Sequence, residues 1–356
     1  MANFKNFQLD YVLWEVTQKC NLSCIHCRAG AHPKLIEEKI IKGKHARELI
    51  DEIKNLGSPT LALTGGEPLL RKDLFDILNY AKKQKVPTRI QSNGLLLTEE
   101  IADRLKEANV TSFGFGMDGS KPEIHDKIRN LKGALNKTIQ NIKMLRKKGI
   151  KVHVEYTITK LNYDDVVPTI KLLESLGVNT FSARSALFSG RAKSGEDDVF
   201  QITKEQYKKT LEQLCEERYK NEMIIVCQDP LYHLIDKGIM DGLKQYGDIT
   251  SGKVLSGCTV GLNMAHINKD GRVGVCTFIP DVIIGNIFEK PLSEIWLNRG
   301  NHPDIKKLMN REYKGNCKKC ADRFICGGCR ARALVLKNDL FEEDPYCWKY
   351  DKRGCL

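Results

Sequence analysis

No stretch of the 356 residues approaches the ~18 uninterrupted apolar residues of a membrane-spanning helix. No repeat of solenoid length recurs, and no low-complexity tract appears. The N-terminal run MANFKNFQLDYVLWE lacks the basic start, apolar core and cleavage site of a secretory signal, so a cytoplasmic chain with no membrane partner is expected. What is present is an ordinary globular composition, 41% apolar and 29% charged, which excludes the disordered and collagen-like classes. At about 150 residues per domain the length suggests two domains, with a core that needs neither metal nor disulfide to hold it.

Thirteen cysteines in a reducing compartment cannot be a disulfide framework, so their spacing has to be read for metal. Three fall together at Cys20, Cys24 and Cys27, and seven more lie between Cys258 and Cys347. Cys215, Cys227 and Cys355 are left over. The first two sit in apolar patterns that favour core packing, and the third is nearly terminal. The 57 basic residues exceed the 45 acidic ones by 12, and residues 304–332 alone carry nine Lys/Arg against three Asp/Glu. Half of the excess charge therefore sits beside the distal cysteines.

Up to Ala186, short β-rich runs alternate with charged segments of helical period, the pattern of repeated βα units around a parallel sheet. The expected strands are Tyr11–Thr17, Thr60–Leu63, Thr88–Gln91, Ser112–Met117, Val152–Ile158 and Thr180–Ser185. Helices are expected over Gly43–Leu56, Arg71–Lys83, Thr98–Glu107, Ala134–Lys147 and Asp164–Leu176, several closed by a glycine. Six units suit an α/β fold of partial (β/α)6 TIM-type barrel, whose reactive face is the loops at the C-terminal ends of the strands. Three regions follow: residues 1–190 as the barrel, 191–257 as a bridging segment with a helix around Lys204–Tyr219, and 258–356 as a small cysteine-rich domain. In the last, Asn268-Lys269-Asp270-Gly271 signals a hairpin between Ala265–Ile267 and Arg272–Val275.

Cys20-x3-Cys24-x2-Cys27 directly follows the first strand. Three thiolates can hold three irons of a [4Fe–4S] cluster and leave one iron without a protein ligand. Zinc is the weaker reading, because His26 lies at a spacing that does not close a tetrahedron. After the second strand comes Gly65-Gly66-Glu67-Pro68, where two glycines permit close backbone approach to a ligand and the glutamate offers an acceptor. Taken alone it reads as a tight strand-to-helix turn.

CxxxCxxC after the first strand together with GGEP after the second resembles the radical S-adenosylmethionine (SAM) superfamily, over about Tyr11 to Ala186. The resemblance implies that the open iron chelates SAM through its amino and carboxylate groups, with Gly65, Gly66 and Glu67 holding the amino group. Ser92, Asn93 and Asp118 match positions that meet the methionine carboxylate or ribose, although Asp118-Gly119 also reads as a turn. His26 stands where a ring often packs beside adenine.

Downstream lie Cys258-x12-Gly271-x4-Cys276, then Cys317-x2-Cys320-x5-Cys326-x2-Cys329, then Cys347, and the four cysteines of the middle run read on spacing alone as a zinc ribbon. After the N-terminal motifs, the same set resembles the SPASM extension of radical SAM enzymes, which carries two auxiliary [4Fe–4S] clusters. By that resemblance Cys317, Cys320, Cys326 and Cys347 bind the distal cluster, and Cys258, Cys276 and Cys329 the nearer one. The nearer set is one ligand short, to be filled by a non-cysteine side chain, a leftover cysteine or the substrate.

The resemblance implies three [4Fe–4S] clusters, SAM, and a ferredoxin- or flavodoxin-type electron donor. It also implies a 5′-deoxyadenosyl radical aimed at one substrate C–H bond, the protein's part being aim and exclusion of water. No catalytic side chain is singled out. Cys326-Gly-Gly-Cys329-Arg330-Ala-Arg332-Ala333, with Glu343-Asp344-Pro345-x-Cys347, Cys27-Arg28-Ala29 and Gly285-Asn286-Ile287 before Leu292–Trp296, resembles the branch acting on tetrapyrroles in siroheme-dependent haem and haem d1 formation. There Arg330 and Arg332 are expected to grip propionates, or alternatively to anchor carboxylates inside the small domain. Maturases of ribosomal peptides or of a metalloenzyme cofactor share similar sequences. A zinc-containing nucleic-acid-binding protein would use the basic charge but leaves CxxxCxxC and GGEP unused.

Overall fold

Seven parallel strands form the body of the protein: β1 (Tyr11–Thr17), β2 (Thr60–Gly65), β3 (Thr88–Ser92), β4 (Ser112–Gly116), β5 (Val152–Ile158), β6 (Thr180–Ser185) and β7 (Ile224–Cys227). Each pairs with the next in chain order. The computed structural model describes residues 8–35, 39–193, 199–244 and 257–349. Cys355 and part of the expected 191–257 segment lie outside them. Among the described residues, no helix is long and apolar enough to cross a membrane.

Helices α1 (Gly43–Asn55), α2 (Leu74–Gln84), α3 (Glu99–Glu107), α4 (Pro122–Arg129), α5 (Ala134–Lys147), α6 (Val166–Ser175) and α7 (Lys204–Lys220) fill the connections. Six strands and five of these helices lie where the apolar periodicity puts them, and α7 where the bridging helix is expected. Helix α7 begins with a full capping box, Thr203 receiving the Gln206 N–H and the Gln206 side chain receiving the Thr203 N–H, a pairing worth about 1 kcal/mol. The segment 191–257 is more than a bridge. Beyond α7 it supplies β7, which pairs in parallel with β6 from Thr180↔Ile224 to Ala183↔Cys227. Four residues of alternating burial are too short a signal to identify a strand without its partner.

The C-terminal domain is also sewn into the sheet. β8 (Met264–Ile267) runs parallel to the other edge of β1, and β9 (Arg272–Gly274) and β10 (Ile283–Asn286) continue outward as antiparallel strands, giving ten strands in the order β10-β9-β8-β1-β2-β3-β4-β5-β6-β7. This pairing joins the C-terminal domain to the barrel, where Cys258, Cys276 and Cys329 border a cavity that the barrel strands also line.

Strand alternation sorts the two faces. Val12, Trp14 and Val16 of β1, Val152, Val154 and Ile158 of β5, and Phe181 and Ala183 of β6 are buried in the main core. The opposite parity, including Arg89, Glu155 and Arg184, borders cavities on the concave side.

Candidate active site

Cys20 and Cys24 are buried and Cys27 is partly exposed on the loop after β1. Arg191 braces that loop from below, its Nε and Nη1 donating to the carbonyls of Cys24 and Ala31 at 2.8 and 2.7 Å. The loop after β2 presses onto it: Gly66 N donates to Thr17 O at 2.6 Å and Glu67 N to Lys19 O at 2.8 Å. A Cβ on Gly65 would stand 2.1 Å from Thr17 O and one on Gly66 2.0 Å from Lys19 O, so no side chain fits at either position. The close approach these glycines permit is to the cysteine loop's own backbone, while the pair also borders the cavity beside it.

Glu67 is fully buried. Its Oε1 accepts from Leu69 N at 3.0 Å and Ser92 Oγ at 2.7 Å, and its Oε2 from Asn93 N at 2.8 Å. Burial pushes its carboxyl upward in spite of these bonds. The side chain therefore fastens the β2 loop to the β3 loop and does not open toward a ligand. Asn93 carries the connection onward, its Nδ2 donating to Asn21 Oδ1 at 2.7 Å and reaching 3.7 Å from Cys20 Sγ.

Asp118 departs from the sequence expectation of a ligand contact. It is completely buried and stands behind the cavity wall, because α4 returns Arg129 between it and the opening. Asp118 Oδ2 pairs with Arg129 Nη2 at 2.7 Å and faces His26 Nε2 at 3.4 Å, while Oδ1 accepts from Thr157 N. Burial alone would raise the Asp118 carboxyl, but Arg129 and then His26 hold it below the usual range. Burial takes the His26 ring down to about 4, against the pull of Asp118, so the ring is neutral near pH 7. Gly116 makes room for this arrangement, since a Cβ there would meet Arg129 Nη2 at 2.3 Å. Arg129 Nη1 then lies 3.9 Å from Cys24 Sγ.

Two cavities meet at this mouth. One, of about 200 Å³, is walled by the three cysteines, His26, Gly65, Gly66, Ser92, Asn93 and Arg129. The other, of about 460 Å³, lies between the strand ends and the C-terminal loops and is bordered by Cys258, Cys276 and Cys329. They share Arg28, Gln91, Glu155, Arg184, Leu187 and Phe278 as common wall. The sequence reading did not single out Arg89, Arg129, Glu155 or Arg184. A charged side chain on the polar parity of each otherwise uncharged or apolar strand run, TRIQS, VHVEYTI and TFSARS, was the signal for the three on strands.

Cys317, Cys320, Cys326 and Cys347 border one small cavity. Cys227 packs in the main core and also borders the larger cavity, and Cys215 packs against the core from α7. Among the described residues, no three Cys, His, Asp or Glu side chains gather closely enough for a single metal ion, as a preformed zinc ribbon would require.

Each cysteine set contains a sulfur that accepts the backbone N–H two residues on: Leu22 N to Cys20 Sγ at 3.4 Å, Phe278 N to Cys276 Sγ at 3.5 Å and Gly328 N to Cys326 Sγ at 3.3 Å. Burial pushes the thiols of Cys20, Cys276 and Cys347 up to about 11, and those of Cys24, Cys317, Cys326 and Cys329 upward as well. Such thiols stay protonated until coordination removes the proton, and N–H donors aimed at sulfur suit the negative charge that results. His26 Nδ1 and Arg129 Nε, at the smaller cavity, are buried without a hydrogen-bond partner among the described residues. The residues present fit iron–sulfur coordination and a polar ligand beside the first loop.

Arg330 and Arg332 do not grip a substrate. Both are fully buried. Arg330 stacks 4.2 Å over the Tyr313 ring and donates to the carbonyls of Gly328, Leu340 and Glu342. Arg332 spends its fork on Asp344, at 2.7 and 2.6 Å, and its Nη1 on Asp229 and Ser185. The helix Arg330–Lys337 begins directly after Cys329, which drives its first turn into the seam between domain and barrel.

Residues 14–173 match the radical SAM superfamily, and residues 258–321 match an iron–sulfur cluster-binding domain, SPASM. The chain is 32% identical to an AdoMet-dependent heme synthase of Methanosarcina barkeri, over 94% of this chain and 95% of that one. It is 30% identical to a pre-heme d1 synthase of Dinoroseobacter shibae, over 95% and 85%. Its fold is similar to that of Streptococcus suis SuiB, solved with precursor peptide SuiA, at a TM-score of 0.74 and 16% identity, over 96% and 76% of the two chains.

Proposed function

As the chain belongs to the radical SAM superfamily and is an enzyme of that family, we propose that it oxidises or removes carboxylated side chains of an iron tetrapyrrole in haem-type biosynthesis. The observation that carries this reading is the near full-length similarity to a heme synthase, 32% over 94% of this chain and 95% of the relative. The relationship to the pre-heme d1 synthase points the same way.

The family brings one [4Fe–4S] cluster with SAM, and the C-terminal domain brings further iron–sulfur. When bound, these groups supply one-electron cleavage of SAM and hydrogen-atom abstraction from a substrate carbon. In this reading Cys20, Cys24 and Cys27 hold the first cluster, with Gly65, Gly66, Ser92 and Asn93 bordering SAM. Cys258, Cys276 and Cys329 hold the nearer auxiliary cluster, and Cys317, Cys320, Cys326 and Cys347 the distal one. Glu67 and Asp118 act as positioning residues: Glu67 ties the SAM-side loops together, and Asp118 holds Arg129 beside the Cys24 sulfur. Leu187 and Phe278, in the shared wall, keep water from the space between the cavities. A ferredoxin- or flavodoxin-type protein serves as electron donor.

The test is anaerobic incubation with dithionite, SAM and siroheme-derived iron tetrapyrroles, followed by mass and absorption spectrum. Loss or oxidation of propionate or acetate side chains is expected. Unchanged tetrapyrroles, alongside modification of a precursor peptide encoded nearby, would overturn the substrate assignment.

A further inference from the structure

The wall of the larger cavity carries three guanidinium groups, on Arg28, Arg89 and Arg184. Their partners differ. Arg28 is tied to Glu15 and to the Thr277 carbonyl. Arg184 Nη2 donates to Glu155 Oε2 at 2.8 Å, which leaves its other edge toward the cavity. Phe278 lies between these two, with the Arg28 and Arg184 guanidinium carbons 5.6 and 5.3 Å from its ring centroid. The two carboxylates that border the larger cavity are already paired at close range, Asp229 with Arg332 and Glu155 with Arg184 and His153, and Glu155 feels Arg89 only as a more distant charge.

Arg89 has no hydrogen bond or ion pair among the described residues, and the Tyr11 ring, 6.0 Å away, is its one close cation–π neighbour. It stands half-buried on the lumen side of β3, where the larger cavity meets a third one of about 730 Å³ at the N-terminal ends of the strands. The nearby anion that Arg89 helps to hold ionised, Glu155, is bonded to Arg184 instead, and a half-buried guanidinium without a hydrogen-bonding anion is unfavourable, a cost that a ligand carboxylate removes.

We propose that Arg89 receives a carboxylate of the substrate at the floor of the larger cavity, with the open edge of Arg184 as a second arm and Phe278 as an apolar plate for a planar ring. The inference rests on the tetrapyrrole reading and adds where the side chains are held. A guanidinium fork binds a carboxylate in two parallel hydrogen bonds, which fixes orientation as well as affinity. The substrate would then be held through acid groups remote from the carbon that reacts.

The experiment is a binding titration of the cluster-loaded enzyme, with SAM present, against an iron porphyrin bearing four propionates and against its tetramethyl ester. Wild type should prefer the acid. Arg89→Ala should weaken the acid by about ten- to a hundredfold while changing the ester little, and Arg89→Lys should recover part of the loss. Iron content is the folding control, and Arg89→Gln takes the place of the alanine variant if that one does not fold. If Arg89→Ala prefers the acid as strongly as wild type does, the inference is overturned and the tetrapyrrole reading stands. Should wild type bind neither acid nor ester, the tetrapyrrole reading falls and takes the inference with it.

Discussion

Arg332 Nη1 stands 2.7 Å from Asp229 Oδ2, which joins the helix after the last CxxC cysteine to the loop after the seventh barrel strand. The same guanidinium holds Asp344, whose Oδ2 accepts the Cys329 N–H at 2.7 Å and whose Oδ1 accepts the Tyr346 N–H beside Cys347. One buried cation thus couples barrel, nearer cysteine set and distal set. Its worth is geometric, because removal leaves two carboxylates buried and uncompensated.

Arg332→Ala should therefore destabilise the protein by about 3–5 kcal/mol and lower its iron content. Denaturant unfolding and iron analysis measure both. A variant of wild-type stability and full iron that has lost only substrate affinity would contradict this assignment and return Arg332 to the substrate.

Removing Cys20, Cys24 and Cys27 together by substitution with Ala should abolish 5′-deoxyadenosine formation from SAM. The protein should still fold, because the loop packs chiefly against backbone groups of its neighbours. Chromatography of reaction mixtures decides, and continued SAM cleavage by the soluble triple variant would move the radical chemistry elsewhere.

Iron after anaerobic reconstitution should reach about twelve per chain, from three four-iron clusters. About four irons, or stoichiometric zinc, would remove the auxiliary clusters from this description.

Glu67→Ala should strand the Ser92 hydroxyl and the Leu69 and Asn93 N–H groups inside the wall. At about 1–3 kcal/mol for a buried group left unpaired, stability should fall measurably, and SAM affinity should fall with it through Asn93. Isothermal titration with SAM on the reconstituted protein reports the second effect; unchanged affinity would dissociate Glu67 from the SAM site.

Burial alone would raise the Glu155 carboxyl, but Arg184 and His153 hold it down at about 2. Its pKa is lower folded than unfolded, so its contribution is complete above the unfolded value of about 4.5 and disappears as pH falls through about 2. The stability gap between wild type and Glu155→Gln should accordingly be level near neutrality and close between about pH 4.5 and 2. Paired unfolding curves across that range check it; a gap independent of pH would show that Glu155 is not held ionised by its neighbours.

Local chemistry was legible in the sequence. Hydrophobic alternation located Tyr11–Thr17 and Val152–Ile158 because strand burial repeats every two residues, and the cysteine spacings identified the family because ligands on one loop must be near one another in the chain. Partnership was not legible. Whether Arg330 and Arg332 grip a substrate or anchor carboxylates inside the small domain stayed open in the sequence, because Asp229 and Asp344 are 103 and 12 residues from Arg332 and nothing local announces the pairing; the structure takes the second course for Arg332 and adds the barrel's Asp229. Glu67 and Asp118 read as ligand contacts because sequence carries residue type and no direction; packing turned one into the wall and put Arg129 in front of the other. Arg89 shows the converse, an ordinary strand arginine in sequence whose want of a hydrogen-bonding partner is set by the partners its neighbours take. The chain alone determined its βα order, its cysteine sets and its family, since these depend on spacing and periodicity. Which charges are spent and which remain open was decided only when distant strands and loops met, because an ion pair in the interior is a property of two places in the chain at once.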